Sequence, residues 1–129
     1  MTEIKGKNKK SVKKEKKRYK QRFRINKKLE GKIGIIFVGH DDPFLYFPDM
    51  MSYLSRKEID RIKLKARGKS ISNAVNVAEQ FKNRFSNEIS SKIDNVEIGT
   101  EEVPRKDGKG KIKMSFIVIE MSKISDEKT

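Results

Sequence analysis

Apolar and polar positions along this chain change spacing several times, and each change marks an element. From Lys32 to Gly39, Ile33, Ile35, Ile36, Phe37 and Val38 form a short run rich in β-branched residues and bounded by glycine. That run predicts a strand buried on both faces and central in its sheet. After His40-Asp41-Asp42-Pro43, a helix is predicted from about Pro48 to Arg56, because proline suits the first turn of a helix and not its middle. Asp60 to Arg67 alternates strictly, with Ile62, Leu64 and Ala66 facing one way and Arg61, Lys63, Lys65 and Arg67 the other. This is the pattern of a strand with one apolar and one basic face. From Ser70 to Phe85 the period lengthens: Ile71, Ala74, Val75, Ala78, Phe81 and Phe85 recur at helical spacing, which predicts an amphipathic helix. Val96 to Val103 and Ile112 to Met121 read as two further strands, and Asp107-Gly108 between them is a hairpin signal.

The order strand, helix, strand, helix, strand, strand defines an α+β class: a two-layer β-α-β-α-β-β fold with a four-stranded mixed sheet and two helices on one face. Residues 1–30 read as a basic tail, disordered unless bound, residues 31–123 as the folded domain, and residues 124–129 as a polar C-terminal tail.

Charge changes this picture most at the N-terminus. The chain has 129 residues, with 32 Lys or Arg against 18 Asp or Glu and a net charge of +14. Residues 1–30 hold fourteen of the cations against only Glu3, Glu15 and Glu30, which leaves +3 for the other 99 residues. Such a segment has too few apolar side chains to offset the entropy of ordering. Its self-repulsion is relieved by a polyanion. Lys13, Lys14, Lys16, Lys17, Arg18, Lys20, Arg22 and Arg24 are candidates for phosphate contacts. Tyr19 and Phe23, interleaved among them, could stack on exposed bases. The bland alternative is a solubilising tail.

Catalytic readings find little material. There is no cysteine and one histidine, His40, so thiol chemistry, Cys-ligated metals and mechanisms needing two imidazoles are excluded. Gly68-Lys69-Ser70 resembles the end of a phosphate-binding P-loop, yet the glycine required five positions before Gly68 is Lys63. Asp41 and Asp42 adjoin His40 but read as a solvated turn. No catalytic residue, metal or cofactor is expected. No apolar run reaches the length of a membrane span and no secretion signal is recognised, so a cytoplasmic protein without membrane contact is expected.

Binding readings find more. Arg61, Lys63, Lys65 and Arg67 form a row of like charges that weakens the fold unless a partner offsets it, and a phosphate backbone is the natural partner. Lys69 extends the row to the helix N-terminus, whose amides favour anions. Arg105, Lys106, Lys109 and Lys111 decorate the predicted hairpin tip, where an arm could enter a groove.

The stretch from Lys63 to Glu79, with its Lys65-Ala66-Arg67-Gly68-Lys69-Ser70 core, followed by Asn83-Arg84-Phe85, resembles the Alba family of archaeal DNA- and RNA-binding proteins. Val96-Glu97-Ile98-Gly99 and the closing hairpin are similar too, so the likeness spans roughly residues 33–123. The resemblance implies the β-α-β-α-β-β fold, a tendency to dimerise, backbone contacts from Lys65, Arg67 and Lys69, and arm contacts from the hairpin cations. Where family members usually carry a glycine followed by a lysine pair and a proline, this chain has Gly39-His40-Asp41-Asp42-Pro43. The basic N-terminal tail likewise departs from the short family pattern.

Loss of the lysine pair argues against ordinary duplex coating, and a basic tail with aromatics looks like an extension threaded through folded RNA. The sequence therefore points to a non-catalytic RNA-binding protein, ribosomal or ribosome-associated and bound to rRNA. The alternative is a dimeric chromatin-type DNA-binding protein on duplex DNA. A third reading is an interaction subunit that meets other ribonucleoprotein components through Phe44-Leu45-Tyr46-Phe47.

Overall fold

In the computed structural model, which describes residues 25–124, the elements run in chain order from β1 (Lys27–Glu30) and β2 (Ile33–Phe37) to a 3-10 turn (Pro43–Tyr46) and α1 (Phe47–Ser55). They continue with β3 (Arg61–Arg67), α2 (Ile71–Arg84), β4 (Ser91–Pro104) and β5 (Lys111–Lys123). One sheet holds all five strands in the order β1-β2-β3-β5-β4. Only the β2–β3 pair is parallel. The predicted α+β class and the placing of both helices on one face hold.

The sheet has five strands where the pattern predicts four. Lys27–Glu30 were expected in the tail, but they pair with β2, Lys27 opposite Ile36 and Glu30 opposite Ile33. Leu29 is the only apolar residue of β1, and all four residues are exposed, so the strand leaves almost no periodic signal. Its order comes from β2's backbone groups and from an ion pair of Lys27 with Asp49 of α1. With β1 in place, β3 and not β2 is the middle strand.

The core lies between the sheet and the two helices. Ile62, Leu64 and Ala66 alternate inward from β3 as predicted, beside Ile36 of β2 and Ile119 and Met121 of β5. Met50 and Leu54 of α1, and Ala74, Val77, Ala78 and Phe81 of α2, close over them. These α2 positions follow the i, i+3, i+4, i+7 stripe. Val75 was expected on the packed face; it lies at the flank of this stripe and is exposed, while Val77 is fully buried. Leu45, Tyr46 and Phe47 are core residues, so of the aromatic cluster only Phe44 reaches the surface, with the Arg84 guanidinium 4.6 Å from its ring centroid.

β4 and β5 outgrow the rest of the sheet. Arg67, the last residue of β3, lies opposite Phe116, so Lys111–Ser115 and the facing part of β4 project without a third strand. At about 3.4 Å per residue that arm is roughly 17 Å long. Its tip closes with Arg105 N–H donating to the Gly110 carbonyl (3.0 Å) and Gly108 N–H to the Arg105 carbonyl (3.0 Å). Gly108 and Gly110 take φ of 76° and 91°, a left-handed region that side-chain-bearing residues avoid. The candidate site residues Lys13, Lys14, Lys16, Lys17, Arg18, Tyr19, Lys20, Arg22, Phe23 and Arg24, and the tail at 125–129, lie outside the described residues.

Candidate nucleic-acid interface

The register brings two basic groups, and the point at which the chain enters the fold, to one end of the sheet. β1 runs antiparallel to β2, so the chain enters the fold beside the C-terminal end of β2, where Phe37 N–H donates to the Asn26 carbonyl (2.9 Å). Phe37 in turn lies opposite Lys65 of β3, two residues before Arg67. Gly68–Ser70 then turn directly into α2, with Lys69 exposed at that turn. The hairpin arm, with Arg105, Lys106, Lys109 and Lys111 all exposed, leaves the sheet from the same end. The point of entry of the segment that carries most of the chain's surplus charge, residues 1–24, therefore lies next to these two groups.

The open face of the sheet differs from the expected row of unmatched cations. The four cations of β3 share it with four carboxylates: Glu30 from β1, Glu120 from β5, and Glu97 and Glu101 from β4. Arg61 pairs with Glu120 at 3.0 Å, and Lys63 approaches the same carboxylate at 3.9 Å. Arg67 donates to Glu101 at 3.0 Å. The Glu30 carboxyl is held below its usual range, chiefly by the neighbouring Lys28 ammonium and further by Lys65 and Lys63. Alternation along one strand reveals that strand's charges but not those that the cross-strand register sets beside them. Among the described residues, Lys65, Lys69, Lys106, Lys109 and Lys111 form no ion pair, while Arg105 lies 3.5 Å from Asp107. Lys32, Arg56, Lys57 and Lys123 at the opposite end likewise form no ion pair among the described residues, so what sets this end apart is that Lys65, Lys69 and the hairpin cations lie beside the point where the chain enters the fold.

The loop after β2 occupies the same end. Asn73 of α2 donates from Nδ2 to the carbonyls of Gly39 (2.9 Å) and Asp41 (2.8 Å), and the Gly39 N–H donates to the Tyr46 hydroxyl (2.8 Å). Burial pushes the Tyr46 hydroxyl pKa up from its ordinary 10.0. Asp42 accepts from Phe44 N–H at 3.1 Å, capping the turn that Pro43 begins. That cap gives Asp42 a local structural task. His40 is exposed.

Between these parts lies a cleft of about 730 Å³ that the sequence reading did not foresee, with Asn26, Phe37, Lys65, Arg67, Glu97 and Phe116 among its walls. The Phe116 ring leans from β5 across β4 and covers Gly99, where a Cβ would fall 2.7 Å from its Cζ. A glycine inside a strand weakens it, and the signal in the sequence was Gly99 itself, since such a glycine often marks a close approach. Among the described residues no group of three or more His, Asp or Glu could hold a metal ion, and no helix is long and apolar enough to cross a membrane.

A two-layer domain of this topology, with an arm and a cationic end, is the architecture of a known family. The family model for Alba matches residues 7–100, nearly three quarters of the sequence, and the chain belongs to the Alba family. The match begins inside the basic segment that the sequence reading set apart from the family pattern, and it stops short of the hairpin tip. The "DNA/RNA-binding protein Alba" of Methanococcus maripaludis is 34% identical over 85 residues, covering 66% of this chain and 92% of that protein. Its namesake in Picrophilus torridus is 31% identical over the same length and coverage. Among solved structures, Alba from Thermoplasma volcanium superposes with a TM-score of 0.59 at 32% identity, covering 68% of this chain and 98% of that one.

Proposed function

We propose that this chain is a non-catalytic RNA-binding protein of a stable ribonucleoprotein, ribosomal or ribosome-associated, that docks on rRNA through the cationic end of its sheet. Carrying this reading is the convergence of Lys65, Lys69, the hairpin cations and the point of entry of the N-terminal segment, because phosphate-rich surfaces are held by clustered cations. Two relatives bear names that state both DNA and RNA binding. The choice of RNA rests on the N-terminal segment and on the acidic Asp41-Asp42 pair, which replaces cations that would add affinity for duplex DNA. Lys13, Lys14, Lys16, Lys17, Arg18, Lys20, Arg22 and Arg24 would contact phosphates, and Tyr19 and Phe23 would stack on unpaired bases. Arg61 and Lys63, matched by Glu120, and Arg67, matched by Glu101, contribute less than Lys65 and Lys69.

Homodimerisation belongs to the same proposal. β4 is an edge strand, and on its helix-side face Val96 and Ile98 are exposed, Ile98 by 75%. Adjacent exposed apolar residues on an edge strand favour a partner that covers them.

The test is fluorescence anisotropy of the full chain with a structured rRNA fragment and with duplex DNA of equal length at physiological salt. Tighter binding to the RNA is expected, and equal or tighter binding to the duplex would return the protein to a chromatin role.

A further inference from the structure

We propose that the cleft on the open face of the sheet is a binding site for one unpaired nucleotide, with its base on Phe116 and a preference for guanine. The inference rests on the RNA-binding reading and names a ligand within it.

Three observations support it. First, the Phe116 ring is already fixed: it covers Gly99, the one residue type there that lets it lie against the β4 backbone. A ring held in place presents its other face at little further loss of freedom, which is what a stacking platform requires. Second, the dimensions and charges suit a nucleotide. β2 and β5 are two strand spacings apart, roughly 10 Å, with Phe37 on one and Phe116 on the other, and β3 forms the floor between them. On that floor Lys65, without an ion pair among the described residues, would meet the phosphate, and the preceding basic segment enters at Asn26 on the rim. Third, Glu97 and Glu101 flank Gly99 on the same face of β4. Arg67 holds Glu101 at 3.0 Å, whereas Glu97 makes no ion pair among the described residues. A carboxylate only accepts hydrogen bonds. Beside a stacked base it favours an edge with adjacent donors, as guanine has at N1 and N2, and disfavours uracil, whose single donor lies between two carbonyl oxygens.

The test uses the full chain and two fluorescent single-stranded RNA hexamers, all-uridine and the same with one central guanosine, beside the structured RNA. Wild type should bind the guanosine hexamer about tenfold more tightly than the uridine one, and Glu97→Gln should abolish that difference. Phe116→Leu should weaken the guanosine hexamer about tenfold and leave the structured RNA within twofold. Photo-crosslinking of the wild type, which needs no variant to fold, should map the guanosine hexamer to the peptide containing Phe116. Equal affinity for both hexamers, an unaffected Phe116→Leu, or crosslinks confined to the N-terminal segment would overturn the nucleotide site while RNA binding stands. Absence of binding to every RNA would instead overturn the RNA-binding reading, and this site with it.

Discussion

Asn73 and Asp41 are joined across the fold by a hydrogen bond of 2.8 Å, and the same amide nitrogen of Asn73 donates to the Gly39 carbonyl at 2.9 Å. One side chain on the first turns of α2 therefore sets the path of the loop that leaves β2. Replacing Asn73 by Ala leaves both partly buried carbonyls without this donor. A loss of about 1–2 kcal/mol in unfolding free energy is expected, read by urea denaturation. A change of under about 0.3 kcal/mol would mean that the loop holds its shape without Asn73.

Tyr46 supplies the other support of that loop, and it makes stability depend on alkaline pH. Its folded-state pKa is raised above the ordinary 10.0 by burial, so above that pH the unfolded state releases the proton more readily than the folded one. The contribution is fully present below pH 10 and is lost as pH rises through the folded value. Melting temperatures of wild type and Tyr46→Phe, followed from about pH 8 to 11, should converge: the variant starts lower, for want of the hydroxyl that accepts from Gly39, and falls less.

Charge matching on the sheet separates cations that alternation alone treats as equals. Lys65→Glu with Lys69→Glu should weaken RNA binding and lower the salt slope by about one for each phosphate that is no longer neutralised. Arg61→Gln, whose partner is Glu120 at 3.0 Å, should leave both nearly unchanged. The reverse order of effects would move the interface to the opposite end of the sheet.

Most of the fold was legible because each buried element carries its own periodicity. Ile62, Leu64 and Ala66 name the core side of β3, and Asp107-Gly108 names the hairpin. β1 was missed because Leu29 alone bears an apolar signal and pairing with β2 supplies the rest. The site was legible only in part. Like charges along one strand are visible in order, but Glu120 and Glu101, more than thirty residues away in sequence, come beside Arg61 and Arg67 through register. The cleft was illegible for the same reason, since Phe37, Lys65 and Phe116 belong to three strands.

Dimerisation is tested apart from RNA. Light scattering at micromolar concentration should give twice the 15.0 kDa of one chain. Ile98→Asp, which sets a charge on the exposed apolar face of β4, should give a folded monomer. A monomeric wild type would remove the dimer from the account.

The central claim, membership of a ribonucleoprotein, is tested most directly by sedimenting native lysate through a sucrose gradient with and without RNase and probing for this protein. Comigration with ribosomal subunits through a high-salt wash, abolished by RNase, is the predicted result. Sedimentation with DNA, sensitive to DNase and indifferent to RNase, would contradict it.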